Sequence, residues 1–244
     1  MRRSASRWAS SGTRRKRRTT PCSRSSSRKL PRTAPAGAPP EATVRHGPRA
    51  ALFDPGAVYH LTSRGNDRRT IYRDDLDRGA FLARLGAVAL KHRWIALAYC
   101  LMTNHYHLVI SAPHGGISGG MQALNGGYSR RTNGRYGRTG HLFQNRFLAT
   151  PISRDAHLLE AVRYVVLNPV RAKICARPRD WPWSSYGACA GLRLAPRFLA
   201  VDEVLGLFGT RPAEARRAYA VFVSAGHVPE SDQGVETHHA ERAP

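Results

Sequence analysis

Residues 57–167 predict an α+β domain on two observations. Strand-like and helix-like hydrophobic periods alternate along the segment, and clusters of Gly, Pro, Asn and Asp punctuate the junctions between them. Nothing in the cysteine pattern competes with a packed core as the source of stability. Cys22, Cys100, Cys175 and Cys189 form no CxxC or CxH pair, so they read as free thiols of a reducing compartment.

The elements follow in order. Residues 57–63 have strand character, and Arg64-Gly65-Asn66-Asp67 reads as a turn. A helix is expected over 74–91, because Phe81, Leu82, Leu85, Val88 and Ala89 recur at three- and four-residue spacing. Residues 94–101 are apolar and compatible with a strand. Residues 105–111 form a second strand, which Pro113-His114-Gly115-Gly116 closes. A helix over 117–135 is weakened by Gly126-Gly127. A short strand over 146–152 precedes a helix over 155–167, with Ser153 as its N-cap and Asn168-Pro169 as its stop. The order β-α-β-β-α-β followed by a helix fits a ferredoxin-like sheet with helices on one face.

Outside this domain the chain changes character. Residues 1–48 are rich in Arg, Ser, Pro and Ala and have no apolar period, so they read as a disordered basic extension. Arg14-Arg15-Lys16-Arg17-Arg18 within it can add nonspecific affinity for DNA. The same composition also suits a transit peptide, a mis-assigned start or a plain solvated tail. Trp181-Pro182-Trp183-Ser184-Ser185-Tyr186 is expected to fold back as an aromatic patch. Residues 201–208 and 212–224 read as two short amphipathic helices in an extension spanning 191–228, and 229–244 as a polar tail. The core domain is placed at 49–190. No apolar run approaches the roughly 18 residues that a membrane span needs, so no membrane association is expected.

Charge narrows the function class. The 244 residues carry a formal charge of +23, which calls for a polyanionic partner, nucleic acid first. Between Asp77 and Asp155 there is no carboxylate, while ten Lys or Arg occur there. A centre built of clustered Asp and Glu is therefore disfavoured. No GxSxG elbow, Walker-type phosphate loop or CxH arrangement is present.

Two segments carry chemistry. In Asn104-His105-Tyr106-His107-Leu108-Val109-Ile110, strand alternation sends His105 and His107 to one face and Tyr106 to the other, the core side. Two imidazoles so placed can hold one divalent cation; they also fit two half-buried strand histidines with no ligand. His60, His92, His114 and His141 are scattered and read as surface or core residues. In Tyr164-Val165-Val166-Leu167-Asn168-Pro169, Tyr164 and Asn168 stand one helical turn apart on one face. A phenol there can act as a nucleophile if a cation polarises its target; the alternative is a core aromatic beside a helix stop.

With these segments in view, the chain resembles the single-tyrosine HUH-endonuclease transposases, in the REP-associated tyrosine transposase branch. Five stretches carry the resemblance in the family's order: Tyr59 to Asn66, Leu101 to Leu108, Gly140 to Phe147, Tyr164 to Ala172 and Trp181 to Tyr186. The resemblance implies a catalytic domain over 49–190 that cleaves and rejoins single-stranded or hairpin DNA. Tyr164 would be the nucleophile, and His105, His107 and Asn168 the ligands of Mg²⁺ or Mn²⁺. Ligand softness alone would favour zinc or manganese. A 5′-phosphotyrosine intermediate and a cytoplasmic, nucleoid-associated setting are implied, with either a monomer or a homodimer that exchanges its tyrosine helix. Arg64, Arg130, Arg131, Arg138 and Arg146 are candidate DNA contacts. Thr103 stands where relatives usually have proline and Lys173 where many have glycine. The competing class is a non-catalytic single-strand or hairpin binder, since a basic four-stranded sheet also serves that purpose.

Overall fold

The computed structural model describes residues 45–46, 54–152 and 155–226. The strands are β1 (Arg45–His46), β2 (Val58–Arg64), β3 (Ile95–Leu101), β4 (His105–Ser111) and β5 (Leu148–Ile152). The helices are α1 (Asp75–His92), α2 (Ile117–Tyr136), α3 (Asp155–Arg171), α4 (Tyr186–Cys189), α5 (Val201–Gly206) and α6 (Pro212–Ala225). Every strand pairing is antiparallel, in the order β1-β5-β2-β4-β3. Leaving the two-residue β1 aside, this is the ferredoxin-like order expected from the sequence. β1 itself is a correction, because Arg45 and His46 had been assigned to the disordered extension and instead pair with Ala149 and Leu148. The rest of that extension, the Ser153 cap and the polar tail lie outside the described residues.

The two faces of the sheet are covered differently. On one face, Tyr59, Leu61, Tyr106, Leu108 and Ile110 are buried beneath α1 and α2. The Tyr106 ring meets Phe81 of α1 at 4.7 Å, and Tyr128 of α2 meets Phe81 edge-on at 5.2 Å. On the other face lies α3, whose Tyr164 meets His107 of β4 at 5.9 Å between ring centroids. The last helix therefore crosses the face opposite α1 and α2. β4 is buried at all five interior positions because it is sandwiched, whereas β2 alternates buried and half-buried residues.

α1 begins where Asp74 accepts the Asp77 amide at 2.9 Å, and it ends at Arg93 in a left-handed conformation. The glycines that weaken α2 also allow it to approach its neighbours closely. A Cβ at Gly127 would fall 1.6 Å from the Arg84 guanidinium carbon, and one at Gly120 would fall 2.1 Å from the Trp94 indole. Arg84 uses that space to donate to the Ala123 carbonyl at 3.0 Å.

α3 runs past the expected stop, with Pro169 inside it, to Arg171. Pro169 lacks only its own donor, and the chain beyond still bonds backwards: Ala172 to the Asn168 carbonyl and Ile174 to the Pro169 carbonyl, both at 2.9 Å. Lys173 then turns left-handed at φ 56°. The aromatic segment folds back as expected, along the outer edge of β3. Leu101 donates to Trp183 at 2.8 Å, Ser185 donates to Tyr99 at 2.9 Å, and the Trp181 indole donates to Leu101 at 3.1 Å. No described helix is long and apolar enough to cross a membrane.

One buried amide ties three elements together. Asn125 of α2 accepts from the Tyr106 hydroxyl and donates to Ser63 Oγ at 2.9 Å and to the Arg146 carbonyl at 3.0 Å. Replacing it with leucine would strand these partners in the interior. Asn125→Leu is expected to lower the unfolding free energy by about 2–3 kcal/mol in urea titrations. At Lys173 the opposite sign is expected. The left-handed conformation costs a non-glycine residue about 1–2 kcal/mol, and glycine's greater unfolded-state entropy offsets about 0.4–1 kcal/mol of that. Lys173→Gly should therefore raise the thermal midpoint measured by calorimetry.

Candidate active site

Register places the site residues. β2 pairs with β4 so that Thr62 stands opposite His107, Arg64 opposite His105 and His60 opposite Val109. Paired residues share a face, so His60, Thr62, Arg64, His105 and His107 all emerge on the side that α3 crosses. The ring centroids of His105 and His107 are 5.0 Å apart, those of His60 and His107 are 5.1 Å apart, and those of His60 and Tyr164 are 5.8 Å apart. His105, His107 and Tyr164 thus meet within a single chain.

A pocket of about 180 Å³ opens beside the histidines, lined by Thr62, Ser63, Arg64, His105, His107, Gln144, Asn145, Phe147 and Leu148. Asn168 does not line it. Its side-chain amide donates to the Tyr164 carbonyl at 2.9 Å, on its own helix. Arg64 is at the pocket wall. Arg146 is exposed and lines an adjoining groove, which shares Gln144, Asn145 and Phe147 with the pocket. Arg130 and Arg131 sit exposed near the C-terminal end of α2, where Arg131 approaches Asp77 at 3.9 Å. Arg138 follows that helix, half-buried, and bonds through its backbone amide to Asn133. Other tyrosines of the domain are committed elsewhere: Tyr128 donates to the Ile71 carbonyl at 2.7 Å and Tyr136 to Asp77 at 2.8 Å.

Electrostatics keep the imidazoles neutral. Burial pushes His105 down to about 4, with Arg64 adding to the effect. Burial alone takes His60 down to about 4. His107 falls well below the ordinary histidine range through burial, then through His60, His105 and Arg64. Neutral imidazole is the form that ligates a cation.

Two further observations test the fit to a metal. His107 Nε2 is buried and has no hydrogen-bond partner, a cost that a bound cation would remove. On His105, Nδ1 faces Asn104 Oδ1 at 2.7 Å, while Asn104 Nδ2 is held by the Arg68 carbonyl at 2.8 Å. That second bond fixes which way the amide points, so His105 donates from Nδ1 and keeps the Nε2 lone pair for a ligand. The donor set therefore fits a divalent cation. Among the described residues no group of three or more His, Cys, Asp or Glu side chains forms a metal site by itself.

The turn that supplies the Arg68 carbonyl is strained. Asp67 and Arg68 both hold positive φ, at 51° and 56°. Gly65 permits it: a Cβ there would sit 2.2 Å from the Arg69 carbonyl oxygen. Behind the tyrosine, Arg163 of α3 is buried, pairs with Glu160 and lies 4.6 Å from the Phe222 ring of α6. The C-terminal helices thus brace the helix that carries Tyr164. Across the ring of Tyr164 lies the Arg171 guanidinium, 4.9 Å from its centroid.

Sequence reasoning set His60 aside as scattered, yet it sits in the histidine cluster. The available signal was its parity with Thr62 and Arg64 on β2, but the register against β4 was not legible. Nor does the sequence disclose that Asn104 orients His105, or that the Gly65 turn supplies the carbonyl that holds Asn104.

This sheet order, with a tyrosine-bearing helix across its free face, is the tyrosine transposase fold. A solved structure of a REP-associated tyrosine transposase bound to a REP hairpin superposes with a TM-score of 0.51 at 17% identity, over 62% of this chain and 88% of that one. Residues 55–168 match the family described as transposase IS200 like. That stretch runs from the residues before β2 to Asn168 of α3 and so contains the sheet from β2 to β5 with α1 and α2. A structure of a candidate transposase from Deinococcus radiodurans R1 is 20% identical over 53% of this chain and 92% of that one, with a TM-score of 0.35. No curated protein matches the chain.

The turn offers a direct check on the site's scaffold. Gly65→Ala must displace the backbone at Arg69, and a loss of about 1–3 kcal/mol is expected from such overpacking, read as a lowered thermal midpoint.

Proposed function

We propose that this protein cleaves and rejoins single-stranded or hairpin DNA through a covalent bond to Tyr164. The observation that carries the reading is the convergence in one chain of Tyr164 with His105 and His107, beside a pocket walled by Arg64. Support also comes from the family and from the hairpin held by the structural relative.

In the step proposed, the Tyr164 oxygen forms a bond to the scissile phosphorus and loses its proton to solvent. The bond from phosphorus to the 3′ oxygen breaks, and that oxygen leaves with a proton as a free hydroxyl. The 5′-phosphotyrosine so formed conserves the bond, so the 3′-hydroxyl of a strand can reverse the reaction without a nucleotide cofactor. His105 and His107 would hold Mg²⁺ or Mn²⁺, which when bound would draw charge from a non-bridging phosphate oxygen. Asn168 would join that set through its amide oxygen, its amide nitrogen being held by the Tyr164 carbonyl. Arg64 and Arg171 flank the site and would neutralise the phosphates on either side. Arg146, Arg130, Arg131 and Arg138 would contact the DNA beyond the pocket. In this reading Tyr164 acts in cis, on the ground that its ring lies 5.9 Å from that of His107 in the same chain.

The test is incubation with labelled hairpin DNA and Mn²⁺, followed by denaturing electrophoresis. The native protein should give a band of covalent adduct. Tyr164→Phe should give none while binding the hairpin within about threefold of the native affinity, because only the attacking oxygen is lost. Adduct formed by the phenylalanine variant would sink the assignment of Tyr164. Native protein that binds hairpins but forms no adduct would instead favour the non-catalytic binder.

A further inference from the structure

His60 lies outside the proposed ligand pair, and its contact with that pair is specific. Its Nε2 is 2.9 Å from Nδ1 of His107, and the two ring planes differ by only 20°. Near-coplanar rings at that distance suit an in-plane hydrogen bond between ring nitrogens. One of the two must donate and the other accept, so the contact selects a tautomer for each ring.

The two possibilities leave His107 in different states. If His60 donates, the proton of neutral His107 sits on Nε2, and an N–H is buried with no acceptor. If His107 donates from Nδ1, its Nε2 carries a lone pair instead. That atom is the one found buried without a partner. The adjacent histidine is treated the same way: Asn104 takes the His105 proton on Nδ1 and leaves Nε2 free. We infer that His60 is a positioning residue that accepts the His107 Nδ1 proton and so presents the His107 Nε2 lone pair to a divalent cation. The inference rests on the metal reading of the site for its purpose, but the hydrogen bond itself does not.

The geometry explains why this task falls to β2. His60 is opposite Val109, two residues from His107 on the same face, which is the diagonal cross-strand relation within reach of a ring. On β4 itself the neighbours of His107 on that face are Val109, which has no side-chain acceptor, and His105, whose ring stands at 81° to that of His107. Partners of this kind fix ring orientation and ligand basicity, and losing one typically weakens metal binding by about 10–100-fold.

Two variants and two readouts test the role. His60→Phe keeps a ring but removes the acceptor; His60→Gln keeps an acceptor oxygen of similar reach. The first readout is ¹⁵N NMR of the imidazoles in metal-free protein. Native protein and His60→Gln should show His107 protonated on Nδ1, and His60→Phe should show the proton moved to Nε2. The second readout is Mn²⁺ affinity by electron paramagnetic resonance. His60→Phe should bind about 10–100-fold more weakly than native protein and His60→Gln within about threefold of it. Native His107 protonated on Nε2, or His60→Phe binding Mn²⁺ as tightly as native protein, would overturn the role. So would a His60→Gln variant as weak as His60→Phe, because His60 would then be a ligand itself. Native protein with the Nδ1 proton but no Mn²⁺ affinity would uphold the hydrogen bond and remove the metal from the proposed function.

Discussion

The antiparallel register of β2 on β4 is the constraint from which the site follows. With Thr62 opposite His107, the polar set His60, Thr62, Arg64, His105 and His107 shares one face, and the apolar set Tyr59, Leu61, Tyr106, Leu108 and Ile110 shares the other. A slip of one residue in β2 would turn its own row over and put Tyr59, Leu61 and Ser63 where His60, Thr62 and Arg64 stand. Burial of the apolar set beneath α1 and α2 resists that slip. The same packing that stabilises the domain therefore sets the geometry of its chemistry.

A second layer of support reaches the histidines indirectly. The strained turn after β2 offers the Arg68 carbonyl to Asn104, and Asn104 in turn orients His105. On the opposite face, Asn125 holds Tyr106, the residue between the two histidines. α3 is braced from outside by α6 through Arg163 and Phe222. Strand, turn and helix each hold one part of the cluster, which suits a site that must keep its groups in place while handling a flexible polyanion.

The edge of β3 is closed by the Trp181 to Ser185 segment, which takes up the backbone groups that an open strand would present. Tyr164 lies against the histidines of its own chain.

Much of this was legible in the residues. Periodicity marked the four long strands and the principal helices to within a few residues, because amphipathic periods of 2 and 3.6 are local properties. Alternation correctly separated Tyr106 from His105 and His107 for the same reason. The ordered motifs pointed to the family whose model matches residues 55–168. Local patterns could not supply what depends on pairing: the place of His60 beside His107, the commitment of the Asn168 amide to its own helix, the passage of α3 through Pro169, and the covering of β3. The Asn168 bond is a choice of side-chain partner within one helical turn; the others arise from contacts between residues far apart in the chain, or from backbone bonds made after a break signal. Chain order alone therefore determined which elements form and which face of a strand or helix each side chain takes. Only the tertiary structure decided which of them meet, because strand register and helix docking are set by long-range burial.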